Sequence, residues 1–186
     1  MTRLMRTIAG GRLALGAGAV LLLAGCATAA TPGPGDASWR VALRMEAGRW
    51  EAVSRLGAPG SILVEYVPTG ESAESWTRIV SVQTFADARI PYPGVRWAMA
   101  QCRATLVDHC PGATWTVLAE FQDDATYEWR VAGCAEAPDQ HELGRIMKRG
   151  GTWARLTYSR KGRMGTAERE EWLRRLAEAG FVHERP

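Results

Sequence analysis

The sequence predicts an α+β fold: one domain with an antiparallel sheet of about six to seven strands, flanked by two helices. Two observations support this prediction. Short segments rich in β-branched and aromatic residues follow one another across tight turns, and two other segments repeat apolar residues at helical spacing. The predicted order is β-β-β-α-β-β-β-β-α. Consecutive strands on short turns pair antiparallel, so the helices are expected to pack on the sheet.

The first three predicted strands lie between residues 48 and 85. A hairpin spans residues 48–67, with its turn at residues 57–60, where Gly, Ala, Pro and Gly follow one another. The third strand, Trp76 to Phe85, is rich in β-branched and aromatic residues. A helix over residues 94–109 follows, led by Pro91 and Pro93. Its apolar stripe has the spacing i, i+4, i+7, i+11 and comprises Val95, Met99, Cys102 and Leu106.

Two further hairpins are predicted after Pro111-Gly112. In the first, apolar residues alternate with polar ones on both sides of a turn at Asp123-Asp124, the pattern of half-buried strands. These apolar residues are Trp115, Val117, Ala119 and Phe121, then Tyr127, Trp129 and Val131. The second hairpin joins residues 141–147 to residues 152–160 through the turn at 148–151.

The last predicted element is an amphipathic helix that Thr166 caps and that stops at Gly180. Glutamates at positions 168, 170 and 171 make its first turn acidic, which suits the positive end of the helix dipole. The residues that we expect it to bury are Trp172, Leu173, Leu176 and Ala177.

Residues 1–25 have the three parts of a secretory signal peptide. Arginines at positions 3, 6 and 12 form a basic region, residues 13–24 form an apolar run, and small residues precede Cys26. The apolar run is too short to span a bilayer. The stretch Leu23-Ala24-Gly25-Cys26 resembles the lipobox of bacterial lipoproteins, whose peptidase cleaves before a diacylated cysteine.

This resemblance implies that the mature chain begins at Cys26 and is attached to a membrane by acyl chains such as palmitate. Two or more acyl chains give a stable anchor. Residues 26–38 then form the lipidated cysteine and a flexible tether with alternating Pro and Gly, and residues 39–186 form one domain. Aspartate after the lipidated cysteine would favour retention in the inner membrane of Gram-negative bacteria. Ala27 therefore favours the outer membrane, with the domain facing the periplasm.

The charge of the mature chain gives no general reason to expect a nucleic acid partner. Residues 1–25 hold three arginines and no acid, so removing them lowers the formal net charge from +3 to 0. No cofactor or metal motif is recognisable. The eight tryptophans are interpreted as core residues of a β-rich domain, with aromatic platforms for glycan or lipid as the alternative.

The cysteines predict one disulfide and one buried thiol. With Cys26 acylated, three cysteines remain in an oxidising compartment. Cys102 and Cys110 lie eight residues apart in the predicted helix, a rise of about 12 Å, which is too far for a disulfide. Cys110 ends that helix, and Cys134 ends a strand that can return to it. We therefore predict a Cys110–Cys134 disulfide and a buried free Cys102.

Four phrases of the sequence resemble uncharacterised small secreted or lipid-anchored proteins of Proteobacteria: VEYVPTGESAESWTRIVSVQTF, TYEWRVAGC, HELGRIMKRGG and EREEWLRRL. The resemblance covers about residues 48–178 and implies no activity or functional residue, since that family has no established activity. The predicted architecture is also similar to the Mog1/PsbP-like fold, whose members are mostly accessory and assembly factors. That similarity concerns the fold alone.

Two groups of residues could form a metal site or a catalytic site, but each is better explained by a structural role. Asp139, His141 and Glu142, with Cys134 nearby, match no standard zinc spacing, and adjacent strand residues point to opposite faces. A hydrolytic site would need one of the histidines at positions 109, 141 and 183, which no Gly-x-Ser-x-Gly motif accompanies. We therefore predict no catalytic residue and no metal ligand.

A run of basic residues is the remaining candidate site. Residues 145–163 contain seven cations and no acid, and the predicted hairpin would carry them around its turn and outer strand. One interpretation is a solvated face that protects a sheet edge. The other is a docking surface for an anionic envelope component or an acidic protein. The seven residues are Arg145, Lys148, Arg149, Arg155, Arg160, Lys161 and Arg163.

Taken together, the sequence predicts a periplasm-facing lipoprotein that acts without catalysis as a binding or assembly accessory of the cell envelope. The alternative is an enzyme that modifies an envelope polymer with a site assembled by the fold. A deep pocket holding a histidine paired with a carboxylate would favour the enzyme. A broad exposed basic or aromatic face would favour binding.

Overall fold

The computed structural model describes residues 39–58, 60–86 and 93–183. The predicted signal peptide, the predicted lipidation site at Cys26, the predicted tether and Pro91 lie outside these ranges. The elements in chain order are β1 (Trp39–Ala42), β2 (Trp50–Ala58), β3 (Ser61–Pro68), β4 (Arg78–Ala86), α1 (Val95–His109), β5 (Thr114–Glu120), β6 (Asp124–Val131), β7 (Gln140–Arg149), β8 (Thr152–Lys161), α2 (Thr166–Glu178) and β9 (Gly180–His183).

The α+β prediction is confirmed. Seven strands form one sheet in the order β2-β3-β4-β8-β7-β6-β5, and all neighbours are antiparallel. A second sheet, absent from the prediction, pairs β1 with β9, so that Trp39 lies opposite His183. These two strands have four residues each. Such short segments carry too few alternations to be recognised before their long-range pairing is known.

The two helices cover opposite faces of the large sheet, here called the α1 face and the α2 face. On β7, Ile146 packs in the same core cluster as α1, whereas Leu143 and Met147 pack in the cluster of α2. This division follows from the pleat, because successive strand residues point to opposite sides. Each helix therefore covers its own core, and a third, smaller cluster consists of Val67, Trp76 and Ile79.

Gly144 in β7 makes room for a buried aromatic ring on the α1 face. Tyr127 lies directly opposite Gly144 in the register, and a Cβ atom at position 144 would lie 2.1 Å from Tyr127 Cζ. Trp115 stacks on the same tyrosine, with ring centroids 4.5 Å apart. Glycine is therefore needed here for close approach of a side chain, although its backbone angles are ordinary for a strand.

The predicted inward face of β5 is wrong in its second half. Trp115 is half-buried as expected, but Val117 and Phe121 are 45% and 71% exposed. The pairing with β6 shifts between Val117 and Ala119, so Leu118 is an extra residue in a β-bulge. A bulge reverses the alternation of faces only beyond it, so it accounts for Phe121, and the sequence pattern does not reveal it. Val117 precedes the bulge, opposite Tyr127, and is exposed on a strand at the edge of the sheet.

The start of α2 and one of its predicted core residues also differ from expectation. Gly165 is the N-cap, without a side-chain cap hydrogen bond, and Thr166 is an exposed first residue of the helix. Trp172 and Leu176 are buried as predicted, but Ala177 is exposed. Leu173 is half-buried.

The cysteine predictions are confirmed. A disulfide joins Cys110 and Cys134, whose Cα atoms lie 5.5 Å apart, and Cys102 is a buried free cysteine. Cys110 follows the last residue of α1 and donates its backbone N–H to the Leu106 carbonyl. The disulfide thus fixes the end of the helix to the segment that follows β6.

Candidate functional site

A groove of about 370 Å³ opens where α2 meets the β1–β2 loop and the ends of β3 and β4. Its size falls within the range of about 300–1,000 Å³ that is usual for small-molecule sites. The lining combines two indole rings, three arginines and two glutamates with small polar residues. It consists of Glu46, Gly48, Arg49, Trp50, Pro68, Thr69, Arg78, Glu171, Trp172 and Arg175.

An aromatic cluster forms the inner wall of the groove. Trp172 of α2 stacks on Tyr158 of β8, with ring centroids 4.0 Å apart and planes inclined by 8°. Trp50 stands nearly perpendicular to both rings, at 5.5 Å from Trp172 and 6.2 Å from Tyr158. Trp172 and Tyr158 are buried, whereas Trp50 is half-buried. Trp50 is therefore the member of this cluster that offers the groove an accessible apolar surface.

An ion-pair clamp closes one side of the groove by joining the β1–β2 loop to α2. Arg175 donates hydrogen bonds to Glu46 Oε1 at 3.1 Å, to the Arg44 carbonyl at 3.1 Å and to Glu171 Oε1 at 2.6 Å. The other oxygen of Glu46 is paired with Arg49. Two of the three groove arginines are thus already bound to carboxylates.

Arg78 is the third groove arginine, and its surroundings differ. It is half-buried at the start of β4, and in the part of the chain that the structure describes its guanidinium forms no hydrogen bond or ion pair. Although burial opposes it, the pKa of Glu71 is lowered by hydrogen bonds from Thr77 and by the nearby charge of Arg78. Across the strand pair, Arg78 lies opposite Arg160, which is itself paired with Glu168. Arg78 therefore has most of its hydrogen-bonding capacity free.

The seven basic residues predicted as one surface do not lie together. Arg145 is bound to Asp124 and also donates to the Leu176 and Ala179 carbonyls at the end of α2, so it holds that helix in place. Arg155 lies on the opposite, α1 face, where it is largely enclosed and donates to Glu142 at 3.1 Å. For these two residues, the prediction of an exposed anion-binding patch is wrong.

The other five basic residues are dispersed around the same hairpin. Arg160 is paired with Glu168 at the start of α2, and Arg149 and Arg163 are exposed. The two lysines lie over indole rings, Lys148 over Trp153 at 5.1 Å and Lys161 over Trp76 at 4.8 Å. Moreover, β8 lies between β4 and β7 inside the sheet, so its predicted outer position and edge-protecting role are wrong.

His141 is paired with a carboxylate but has no nitrogen free for catalysis. Its Nε2 lies 2.6 Å from Glu128 Oε1, and its Nδ1 accepts the Met164 backbone N–H at 3.2 Å. The ring is 3% exposed, and burial lowers its pKa in spite of the glutamate. Because Nδ1 accepts a hydrogen bond, the neutral ring must carry its proton on Nε2 and donate it to Glu128. This arrangement holds the loop before α2.

The residues that could have formed a metal site each have another role in the structure. Cys134 is in the disulfide, Asp139 accepts the Gly133 backbone N–H at 2.8 Å, and His141 and Glu142 point to opposite faces. Within the described residues, no three His, Cys, Asp or Glu side chains are grouped so that they could hold a metal ion. None of the helices among those residues combines the length and apolarity needed to cross a membrane.

Glu142 anchors a closed polar network under α1. Its Oε1 accepts hydrogen bonds from Trp129 at 2.9 Å and Arg155 at 3.1 Å, and its Oε2 accepts one from Ser159 at 2.7 Å. Tyr127 completes the network, since it also donates to Glu142 at 3.3 Å and accepts from Arg155 at 3.0 Å. Each charge is neutralised inside the protein, which is the condition for burying such a pair.

Glu65, on the same face, is less well accommodated. It is 7% exposed, and its Oε1 has no hydrogen-bond partner within the described part of the chain. Burial raises the pKa of this carboxyl, and hydrogen bonds from Ser54 and Ser81 oppose the rise only in part. Glu65 lies between these two serines in the register of β2, β3 and β4.

The groove was not found from the sequence. Trp172 was recognised as a core residue of α2 and Trp50 as part of a hairpin, but nothing local distinguishes Arg78 from other arginines. Arg175 and Glu46 are 129 residues apart in the chain. The excess of tryptophan was the one available signal, through the alternative of an aromatic platform.

No protein-family model matches this chain, and no curated protein is similar enough to it to count as a relative. The geometry described above is therefore the basis for inferring a function.

Proposed function

We propose that this protein is a lipoprotein of the bacterial cell envelope, anchored through Cys26 to the outer membrane, facing the periplasm, and acting without catalysis as a binding or assembly accessory. The observation that carries the binding role is the groove beside α2, which presents to solvent Trp50 and Arg78, whose guanidinium has no hydrogen-bond partner among the described residues. Open concave surfaces with apolar walls and a few polar groups are the usual form of binding sites.

The cell-envelope location is supported by two features of the chain. The sequence Leu23-Ala24-Gly25-Cys26 resembles a lipobox, and the Cys110–Cys134 disulfide suits an oxidising compartment. The resemblance of four phrases of the sequence to small secreted or lipid-anchored proteobacterial proteins also favours the cell envelope. The sequence predicts an anionic partner that binds the basic hairpin. Because the basic residues of that hairpin are dispersed, we place the binding of an anion in the groove instead, at Arg78.

The alternative, an enzyme acting on an envelope polymer, has one observation in its favour, the His141–Glu128 pair. General base catalysis needs a nitrogen that can reach the proton of a substrate. Both ring nitrogens of His141 are engaged by the protein, and the ring is not among the residues that line the groove. The geometry of this pair therefore favours binding over catalysis.

The attachment is tested by labelling cells with a palmitate analogue and separating their membranes. Cys26→Ala should abolish the label and leave an unprocessed precursor, whereas Cys102→Ala, the matched control at the free cysteine, should be labelled and found in the outer membrane. Processing of Cys26→Ala to a soluble form would refute the anchor.

The binding role is tested with a photo-crosslinking amino acid placed at Thr69, on the groove. The control position is Arg103, which is exposed on α1 at the opposite face of the sheet. We expect adducts with an envelope component in cells from position 69 and not from position 103. Identical adduct patterns at the two positions, or none, would contradict a binding role for the groove.

A further inference from the structure

We infer that the groove binds a sugar carrying a phosphate or carboxylate group, with the anionic group held by Arg78 and the sugar ring packed against Trp50. The inference rests on the proposed function, because it names the ligand class of the same groove. It follows from three features of the lining: an available guanidinium, an accessible indole, and glutamates placed where hydroxyl groups could donate to them.

The first feature is the difference between Arg78 and the other two groove arginines. Arg175 and Arg49 are bound to Glu46, so their charge is largely neutralised. Arg78 is half-buried beside them, and among the described residues its guanidinium donates no hydrogen bond, whereas its backbone N–H donates to Glu71. A planar guanidinium can bind an oxyanion through two parallel hydrogen bonds, and partial burial strengthens such contacts.

The second feature is the half-buried ring of Trp50. Its neighbours Trp172 and Tyr158 are buried, so they support the indole without competing for the ligand. The ring is held nearly perpendicular to both neighbours, which fixes its orientation in advance. Aromatic faces carry partial negative charge and attract the C–H groups of a sugar ring, while the polar edge remains compatible with water.

The third feature separates a sugar from a simple anion or an apolar ligand. Glu46 and Glu171 line the same groove as Arg78, and both keep substantial exposure. Carboxylates accept hydrogen bonds from hydroxyl groups but repel a second anionic group. The groove is thus suited to a molecule with one anionic group and several hydroxyls.

The experiment measures binding by calorimetry to the full-length lipidated protein in a non-ionic polyoxyethylene detergent. The probes are glucose 1-phosphate, glucuronate, neutral glucose and inorganic phosphate. The two anionic sugars distinguish phosphate from carboxylate as the anionic group. We expect at least one of them to bind about tenfold or more tightly than both glucose and inorganic phosphate. Glucose lacks the anionic group that would bind Arg78, and inorganic phosphate lacks the sugar ring that would contact Trp50.

The variants assign the anionic group to Arg78. Arg78→Gln should weaken binding of the preferred sugar by about tenfold to a hundredfold, Arg78→Lys should restore part of the loss, and Arg103→Gln on the opposite face should change nothing. Thr69→Glu, which adds a carboxylate at an exposed position of the lining, should weaken binding of the preferred sugar by about twofold to fivefold, whereas the neutral Thr69→Gln should not. Because position 69 is exposed, this pair of variants keeps the test informative even if Arg78→Gln is unstable.

The inference is overturned if neither anionic sugar binds more tightly than glucose, or if Arg78→Gln, folded by its melting temperature, binds as the unaltered protein does. Inorganic phosphate binding as tightly as the sugars would overturn the sugar part. If the calorimetric experiment fails but labelling depends on Cys26 and position 69 gives specific crosslinks, the ligand class is refuted and the proposed function is not. Loss of those crosslinks as well would remove both.

Discussion

The two faces of the sheet treat their charged residues in opposite ways. Under α1, Glu142 and Arg155 satisfy one another and their neighbours inside a closed network. Beside α2, Arg78 lies in an open groove with its guanidinium available, next to a clamp in which Glu46 and Glu171 are paired with Arg49 and Arg175. Burial of a charge is therefore no guide to function in this protein. What distinguishes the candidate site is a partly buried guanidinium that forms no hydrogen bond with the described residues, although its charge acts on nearby Glu71.

The largest expected effect is on the α1 face. Glu142→Gln leaves Arg155 buried without its anion, which should cost about 3–5 kcal/mol of unfolding free energy. Glu65→Gln makes the same chemical change on the same face, yet should be neutral or stabilising at pH 7, because Glu65 has an oxygen without a partner. Denaturant unfolding of both variants measures the contrast.

The pH dependence of these two variants sharpens that contrast. The pKa of Glu65 is raised in the folded protein, so its ionisation opposes folding as pH rises above its ordinary value of 4.5. Glu65→Gln should therefore gain stability relative to the unaltered protein from pH 4.5 upward. An equal loss of stability in both variants would show that the α1 face does not distinguish paired from unpaired carboxylates.

The disulfide should contribute the next largest effect, also on the α1 side. Replacing both Cys110 and Cys134 with serine opens a loop closed over a separation of 24 residues, and should cost roughly 3.5 kcal/mol on the chain-entropy estimate. Cys102→Ala, which removes the third cysteine of the domain, should cost less, since it leaves this cross-link intact. Peptide mapping without reduction should link Cys110 to Cys134. A link from Cys102 would contradict the structure.

A smaller effect is expected from the buried histidine near the start of α2. The pKa of His141 in the folded protein lies below its ordinary value of 6.5. As pH falls below 6.5, His141 is therefore protonated in the unfolded chain before it is protonated in the folded protein, which lowers the free energy of unfolding. The contribution of neutral His141 to the free energy of unfolding is fully present above pH 6.5 and is lost as pH falls from 6.5 toward the pKa of the folded state. His141→Gln should flatten the fall of melting temperature in this window, whereas His109→Gln, at an exposed position, should leave it unchanged.

The smallest effect concerns the surface of the basic hairpin. Arg163→Glu, at an exposed position, should change stability by no more than about 0.5 kcal/mol. Arg160→Glu places a carboxylate next to that of Glu168 and should lower the free energy of unfolding by more, about 1 kcal/mol or above. Both differences are measured by urea unfolding. Equal values for the two arginines would show that the Arg160–Glu168 pair is too well solvated to matter.

Features that depend on near neighbours were predictable from the sequence. The stripe from Val95 to Leu106 placed α1 to within one residue, because helical spacing is a local property. The turn after Arg149 fixed the β7–β8 hairpin, and the end of α1 at Cys110 was enough to choose its disulfide partner. By contrast, the bulge in β5 reversed the expected burial of Phe121, and Val117, which precedes the bulge on this edge strand, is exposed as well.

The sequence by itself therefore determined the α+β class, the order of its longer elements, the disulfide and the resemblance of residues 23–26 to a lipobox. The tertiary structure alone decided which charges are used internally and which remain available. Arg145 finds Asp124 at a distance of 21 residues and Arg169 finds Glu128 at 41. No local pattern encodes such partners, because Coulomb interactions and burial depend on distance in space. For that reason a basic run that looked like one surface became several separate contacts, and an unremarked arginine at position 78 became the candidate site.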